Sequence, residues 1–178
     1  MLRDTRENFG WLSIAIHWLA AIWVTYFFLN GQSIEESPSP EIRLWHITAG
    51  ATFGVLLLAR VLWRLASPMP RPLGTVAWQN LLAAGVKWAL LANIVLAVVS
   101  GYLLVWSRGQ PVPMLGGLVL PSPTGDWQSL HHLMEPLHKL TVHLFIPLVA
   151  LHVIGTLKHV FIDKDGTLAR MLWPERAA

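Results

Sequence analysis

Four stretches of the chain are almost continuously apolar, and each is long enough to cross a membrane as a helix. A membrane-spanning helix needs about 20 mostly apolar residues. The stretches run from about Trp11 to Leu29, Trp45 to Leu65, Leu81 to Trp106 and Leu137 to Phe161. We therefore predict one all-α domain over residues 1–178, folded as an integral membrane four-helix bundle.

The composition agrees with this class of protein. Hydrophobic residues make up 54% of the chain and charged residues only 13%, against about 25% charged in ordinary globular chains. The 10 tryptophans suit the boundary between lipid and water, where tryptophan is enriched. A formal net charge of +3 is too small to indicate nucleic acid as a partner, so membrane lipid is the expected surrounding.

The three connections differ in character. The first connection contains Ser39 and Pro40, a pair of residues that commonly starts a helix. The second connection, residues 66–80, is rich in proline and basic residues. The third, residues 107–135, is the longest, and a loop of that length usually serves a function or folds over a site.

The distribution of Lys and Arg predicts the orientation in the membrane. With four spans, both termini and the second connection share one side, and most of the basic residues lie there, whereas the opposite side carries only Arg43, Arg108 and Lys139. Basic residues favour the cytoplasmic side, so both termini are predicted to be cytoplasmic. The first apolar run lacks a small-residue cleavage site and is expected to remain as a membrane helix.

The chain has no cysteine. This excludes disulfides, iron–sulfur clusters, thiol catalysis and covalently attached c-type haem. A metal or cofactor must therefore be held by His, Met, carboxylates or backbone atoms. Histidines inside the membrane segments are the first candidates, because ionisable groups are costly there and usually functional.

Four histidines fall into two pairs at matching depths. His17 lies about two turns from the cytoplasmic end of the first helix, and His152 lies at a comparable depth in the fourth. His46 and His138 open the second and fourth helices on the periplasmic side. A lone histidine near a helix end is more often an interfacial residue than a ligand, but matched depths on different helices favour ligands.

The spacing within the fourth helix supports these pairs. His138 and His152 share a face at about 100° per residue and lie roughly 21 Å apart along the axis. Two facing imidazoles suit a six-coordinate haem iron, which favours electron transfer because no axial position stays open for oxygen. Arg60 is expected to face the same interior side as His46, where it would meet a propionate of the cytoplasmic haem.

The remaining histidines are weaker candidates. His143 is predicted to face away from the pairs. His159 shares the face of His152 and is the main rival ligand. His131 and His132 are predicted to lie in the loop before Pro136, where they either line a periplasmic substrate site or, as we expect, are simply solvated.

Short motifs occur in a fixed order along nearly the whole chain. They are Ile-His-Trp-Leu at 16–19, Trp-His-Ile-Thr-Ala-Gly at 45–50, Leu-Leu-Ala-Arg-Val-Leu-Trp-Arg at 57–64, Ser-Arg-Gly at 107–109, Leu-His-Lys at 137–139, Leu-His at 151–152 and Lys-Asp-Gly-Thr-Leu-Ala-Arg-Met at 164–171. Each motif is weak alone. In this order and at these intervals they resemble the bacterial cytochrome b561 family of di-haem membrane cytochromes.

The resemblance implies four helices and two b haems, one held by helices one and four and the other by helices two and four. Carried onto this chain, the iron ligands are His17 with His152 and His46 with His138. Family members exchange electrons with membrane quinone, and some oxidise superoxide while reducing ubiquinone. The resemblance therefore implies an inner-membrane, quinone-linked oxidoreductase of the superoxide oxidase type, with ubiquinone as a substrate.

Several alternatives stay open. Arg108 and Lys139 are candidates for attracting superoxide or steadying a reduced quinone, and ordinary loop charges explain them equally well. The same fold would serve a haem-bearing anchor subunit of a larger dehydrogenase or hydrogenase. A haem-free, histidine-lined metal or proton transporter is a further hypothesis, and a homodimer is expected if the protein stands alone.

Overall fold

The computed structural model describes residues 1–36 and 39–174, with the backbone alone for residues 32–36. Most of these residues belong to four helices: α1 is Trp11–Glu36, α2 is Pro40–Ala66, α3 is Ala77–Trp106 and α4 is Gln128–Lys158. All four are long and apolar enough to cross a membrane. The all-α class and the four spans predicted from the apolar stretches are confirmed.

The start of α2 shows why one helix boundary was predictable. Pro40 is the first residue of the helix, where its missing N–H costs nothing because the first N–H groups of a helix have no internal partner. Ser39 Oγ accepts a hydrogen bond from the N–H of Ile42 at 3.2 Å, which caps the first turn. The prediction that Ser39 and Pro40 start the second helix is confirmed.

Three other helix ends extend well beyond the apolar stretches, whereas α1 starts at Trp11 and α3 ends at Trp106 as predicted. Apolar residues mark only the part of a helix that lipid can surround, whereas the backbone hydrogen bonds continue into polar turns. The first helix ends at Glu36 instead of Leu29. The second helix begins at Pro40 instead of Trp45, and the third begins at Ala77 instead of Leu81.

The prediction that α4 begins at Leu137 is wrong, because the helix begins at Gln128. The apolar stretch begins only at Leu137, whereas the helix starts upstream and continues through Pro136, since proline kinks or weakens a helix without always ending it. His131 and His132 therefore lie on α4, and their placement in a loop is also wrong.

The end of α4 differs from the prediction as well. The α-helix ends at Lys158, not Phe161, and one π-helical turn, His159–Asp163, follows it. Lys164 then adopts a left-handed conformation with φ 51. Burial raises the pKa of Asp165, but hydrogen bonds from Thr167 and His159 outweigh it, and the net pKa is below its usual value.

The connection between α3 and α4 is folded. Two short antiparallel strands, β1 (Val112–Pro113) and β2 (Val119–Leu120), pair with Val112 opposite Leu120. Gly116 and Gly117 turn the chain between them with φ 85 and 83, a conformation that glycine adopts without strain. The Leu115 N–H donates to Thr52 Oγ1 at 2.8 Å, which ties this hairpin to α2.

The chain divides into two compact units. The first unit comprises Met1–Ala21, Arg60–Leu91 and Ile146–Ala178, and the second comprises Ile22–Ala59 and Ala92–Phe145. Each of the four helices contributes residues to both units. In the first unit, buried Asp4 binds Arg64 at 3.1 Å. In the second, Asn93 Nδ2 donates to the Thr141 carbonyl at 2.9 Å.

Large apolar side chains are exposed on every long helix. Ile22 is 62% exposed, Leu62 66%, Leu81 75% and Ile154 62%. Soluble proteins rarely expose wide apolar surfaces, whereas lipid solvates them without cost. This exposure supports the membrane class independently of the length of the helices.

Candidate functional site

The first unit brings together two histidines from α1 and α4. The ring centres of His17 and His152 are 6.1 Å apart, with 62° between the ring planes. A metal–imidazole bond is about 2 Å long and the ring centre lies about 1 Å behind the nitrogen, so two imidazoles on opposite sides of one metal ion have centres about 6 Å apart. The spacing therefore suits one metal ion between the rings.

The second unit contains a similar pair from α2 and α4. The ring centres of His46 and His138 are 6.3 Å apart, with 84° between the planes. His138 Nδ1 lies 3.0 Å from the carbonyl oxygen of Ala97 and 3.2 Å from Ser100 Oγ. Since a carbonyl only accepts, Nδ1 carries the proton, and Nε2 keeps the lone pair that a metal requires.

Two further features of the second unit fit a haem. His46 Nδ1 is buried and has no hydrogen-bond partner among the described residues, so this imidazole is available for a partner from outside the chain. A Cβ added at Gly50, one turn after His46, would meet only Phe27 Cε1 at 3.9 Å. This small residue leaves room for a flat ring beside the imidazole.

Gly101 has a different role, because it lets α3 pack closely against a histidine. A Cβ at this position would lie 3.2 Å from His138 Cε1, closer than most side-chain contacts allow. The glycine therefore sets how near the imidazole of His138 can lie to α3. Any larger residue would displace the ring that Ala97 and Ser100 orient.

Arg60 contacts a histidine in the first unit. Its Nη2 lies 3.1 Å from His17 Nδ1, and its Nε is buried with no partner among the described residues. A guanidinium only donates, so His17 Nδ1 accepts and its proton lies on Nε2. Binding of iron by His17 Nε2 requires the other tautomer, and Arg60 must then turn towards a different acceptor such as a propionate.

Lys87 on α3 places another positive charge in the first unit, near enough to His152 to interact with its imidazole electrostatically. No cation of the described residues contacts His46 or His138 in the second unit, and the polar contacts of His138 come from a carbonyl and a hydroxyl. The two histidine pairs thus have similar spacing but different electrostatic surroundings.

The remaining candidates are placed as follows. His143 is exposed on α4, outside both pairs. His159 Nδ1 lies 2.7 Å from Asp165 Oδ2 and 3.2 Å from Asp163 Oδ2, so carboxylates rather than a second histidine surround the rival ligand. His132 is exposed on α4.

The two cationic candidates, Arg108 and Lys139, belong to one cluster. Arg108 Nη2 lies 2.9 Å from His131 Nε2, and Lys139 Nζ lies 3.0 Å from Glu135 Oε1. Glu135 Oε2 is 3.6 Å from His131 Nε2 and so joins the two halves. We call these four side chains, with Ser107, the His131 cluster.

His131 is the residue that sequence reasoning undervalued. It is only 8% exposed, and its Nδ1 lies 3.2 Å from Ser107 Oγ. The sequence did contain a sign of its role: His131 lies seven residues before His138, so both histidines lie on one face of α4. The incorrect loop assignment concealed that spacing.

Four long apolar helices that bring histidines together in pairs are typical of helical membrane cytochromes. Residues 8–174 match the family model described as prokaryotic cytochrome b561. The chain belongs to this family. It is therefore a multi-pass bacterial membrane protein with the electron-transfer role of a b-type cytochrome, and the family implies haem b as its cofactor.

Individual relatives agree over nearly their full lengths. Cytochrome b561 homolog 2 of Escherichia coli (strain K12) is 33% identical over 178 residues, which cover 95% of this chain and 93% of the relative. Cytochrome b561 homolog 1 of the same strain is 27% identical, covering 93% and 97%. A protein of Yersinia pestis named probable superoxide oxidase CybB is 25% identical, covering 96% and 98%.

Proposed function

We propose that this chain is a di-haem, quinone-linked oxidoreductase of the bacterial inner membrane. His17 and His152 would hold one haem b, and His46 and His138 would hold the other. The observation that carries this proposal is the near-equal separation of the two imidazole pairs, 6.1 and 6.3 Å between ring centres. Both values suit a metal ion held by two imidazoles.

The protein residues orient and tune the cofactor, and the haem supplies one-electron chemistry when it is bound. Ala97 and Ser100 hold the proton of His138 on Nδ1, which fixes its Nε2 as the ligand atom. Arg60 would neutralise a propionate in the first unit. A haem held by two histidines would supply electron transfer rather than oxygen binding.

We infer superoxide as the electron donor and ubiquinone as the acceptor. Two superoxide anions give two electrons and become oxygen, and one ubiquinone takes both electrons with two protons. The name of the Yersinia pestis relative and the cationic Arg108 and Lys139 support this choice. By the distribution of basic residues, both termini face the cytoplasm and the His131 cluster faces the periplasm.

The first experiment measures haem in the purified full-length protein. We expect two haem b per chain, and one per chain after each single change His17→Ala, His46→Ala, His138→Ala or His152→Ala. His143→Ala is the matched control, since His143 lies on α4 outside both pairs, and it keeps both haems. Full haem content in any of the four variants removes that histidine from the ligand set.

A second experiment separates the oxidoreductase from an anchor subunit. Superoxide should reduce the haems of the isolated protein, and ubiquinone should reoxidise them. Haems that superoxide leaves oxidised, in a chain that purifies with a larger dehydrogenase or hydrogenase, would favour the anchor subunit. A protein without a b-type spectrum would favour the haem-free transporter.

A further inference from the structure

The hairpin formed by β1 and β2 reaches back along α2 into the membrane span. The Leu115 N–H at its turn donates to Thr52 Oγ1 at 2.8 Å, and Thr52 lies seven residues after Trp45, where the apolar stretch of α2 begins. By the helical rise, this places the turn about 10 Å inside the apolar stretch. The hydrocarbon core is about 30 Å thick, so the turn lies at the depth of one leaflet.

The neighbouring helix α3 indicates a similar depth. Tyr102 Oη donates to the Ala51 carbonyl at 2.8 Å, and Tyr102 lies one helical turn before Trp106, the last residue of α3. Thr52 follows Ala51 directly on α2. The hairpin turn therefore lies further inside the span than the end of α3, although it belongs to the connection between two spans. All of these residues belong to the second unit.

The hairpin has the composition of a membrane segment rather than of a solvated loop. Residues 111–121 carry no charged, hydroxyl or amide side chain. Leu115 is 39% exposed, Leu118 56% and Val119 52%, whereas Val112 is 1% exposed. The hairpin thus packs against the protein through one apolar surface and presents a second apolar surface outward.

The polar residues of the connection are gathered at the base of the hairpin. Arg108 pairs with Asp126 there as an antiparallel bridge. The hydroxyls of Ser122 and Thr124 both donate to the Trp106 carbonyl at 2.8 Å, which satisfies an acceptor that the end of α3 leaves free. A polar base and an apolar turn match the change from water to hydrocarbon across a membrane surface.

The backbone of the hairpin suits a position among lipid chains, where polar backbone groups need partners within the protein. The Leu115 N–H has Thr52 Oγ1, whose own proton goes to the Thr48 carbonyl at 2.8 Å. The Met114 N–H donates to the Leu118 carbonyl at 2.8 Å. Three residues of the hairpin lack an N–H altogether, namely Pro111, Pro113 and Pro121.

We propose that the hairpin inserts into the membrane as a re-entrant segment, with Leu115, Leu118 and Val119 among the lipid chains and Thr52 holding its turn against α2. The occupant of its exposed surface is the hydrocarbon of the adjacent leaflet, because that surface continues the exposed apolar faces of the membrane helices at the depth of Thr52. By the orientation proposed above, this is the periplasmic leaflet.

The test places single cysteines in a chain that otherwise has none. Each cysteine carries a nitroxide spin label in the full-length, haem-loaded protein in phosphatidylcholine liposomes. Oxygen concentrates among lipid chains, whereas nickel ethylenediaminediacetate stays in water, and collisions with each are measured relative to nitrogen, which removes the contribution of the haem iron. The label of Leu118→Cys should collide several-fold more with oxygen than with nickel. Gln110→Cys, exposed near the base of the hairpin, is the matched control and should show the reverse.

A second position and a second reagent keep the proposal testable if one label disturbs the fold. Val119→Cys should give the same preference for oxygen as Leu118→Cys. In both variants a charged, water-soluble thiol reagent should react at least about tenfold more slowly than in Gln110→Cys, because charged groups enter hydrocarbon only at high cost.

The role of Thr52 has its own pair of variants. Thr52→Val removes the acceptor of the Leu115 N–H, so the label at position 118 should move towards water and collide several-fold more with nickel. Thr52→Ser keeps the hydroxyl and should leave the label where it is in the wild-type background. A label that Thr52→Val does not move would overturn the role of Thr52.

Two results would overturn the insertion itself. Labels at positions 118 and 119 that collide with nickel as often as the label at position 110 would place the hairpin in water. Labels that collide with neither reagent would place the hairpin against a second copy of the chain or another covering group instead of lipid. Neither result changes the proposed haem ligands, which the haem content of the histidine variants tests separately.

Discussion

His138 donates its Nδ1–H to the carbonyl oxygen of Ala97 across 3.0 Å. This bond commits the imidazole to the tautomer that binds a metal through Nε2, before any cofactor arrives. His17 is held differently, because Arg60 donates to its Nδ1 and favours the opposite tautomer. His138 thus already has the tautomer that metal binding through Nε2 would require, whereas metal binding by His17 Nε2 would require Arg60 to release Nδ1.

Gly101 offers a direct test of how closely α3 must approach His138. In Gly101→Val the new side chain enters space 3.2 Å from His138 Cε1, so the ring must turn away from His46. We expect loss of the haem of the second unit and retention of the other, measured as haem per chain. Gly85→Val is the matched control on the same helix, since a Cβ there meets nothing within 4 Å. Two haems per chain in Gly101→Val would show that the ring does not depend on this approach.

Arg60 should raise the reduction potential of the first haem. Reduction adds one negative charge to the site, and a partly buried cation stabilises it. In a His138→Ala background, which keeps only that haem, Arg60→Gln should lower the midpoint potential and Arg60→Lys should lower it less. A spectroelectrochemical titration measures both. An unchanged potential in Arg60→Gln would place the guanidinium away from the haem.

Asp165 should stabilise the end of α4 in a pH-dependent way. Its pKa in the folded protein is below the usual 3.8, so its stabilising contribution is complete above that pH and is lost as the pH falls through the lower folded value. The thermal stability of Asp165→Asn should therefore fall below wild type at pH 7 and approach it at low pH. Asp126→Asn is the control, because Asp126 is exposed and its carboxylate binds only Gln128 among the described residues. A deficit in Asp165→Asn that persists unchanged at low pH would contradict the carboxylate's role.

Hydrophobic patterning predicted the four helices because lipid contact demands long apolar runs whatever the fold. The Ser39–Pro40 pair predicted the start of α2, because these two residues act there through local chemistry alone. Depth along the helices predicted the two histidine pairs, whose ring centres lie 6.1 and 6.3 Å apart in the structure. These features depend on rise per residue and composition, which a sequence contains directly.

Contacts between helices could not be predicted in the same way. The apolar stretch begins only at Leu137, and this limit placed His131 among solvated loop residues although it is buried against Ser107. The contact of Arg60 with His17 depends on how two helices pack and on where a long side chain turns. Periodicity gives the face of each residue but not the partner it meets across a helix pair.

The pairing of the four histidines is tested most directly by the haem content of double variants. If His17 pairs with His152 and His46 with His138, then His17→Ala with His152→Ala should retain one haem b per chain, as should His46→Ala with His138→Ala. The crossed variant, His17→Ala with His138→Ala, breaks both pairs and should retain none. One haem per chain in the crossed variant, or none in either same-pair variant, would contradict this account of the two sites.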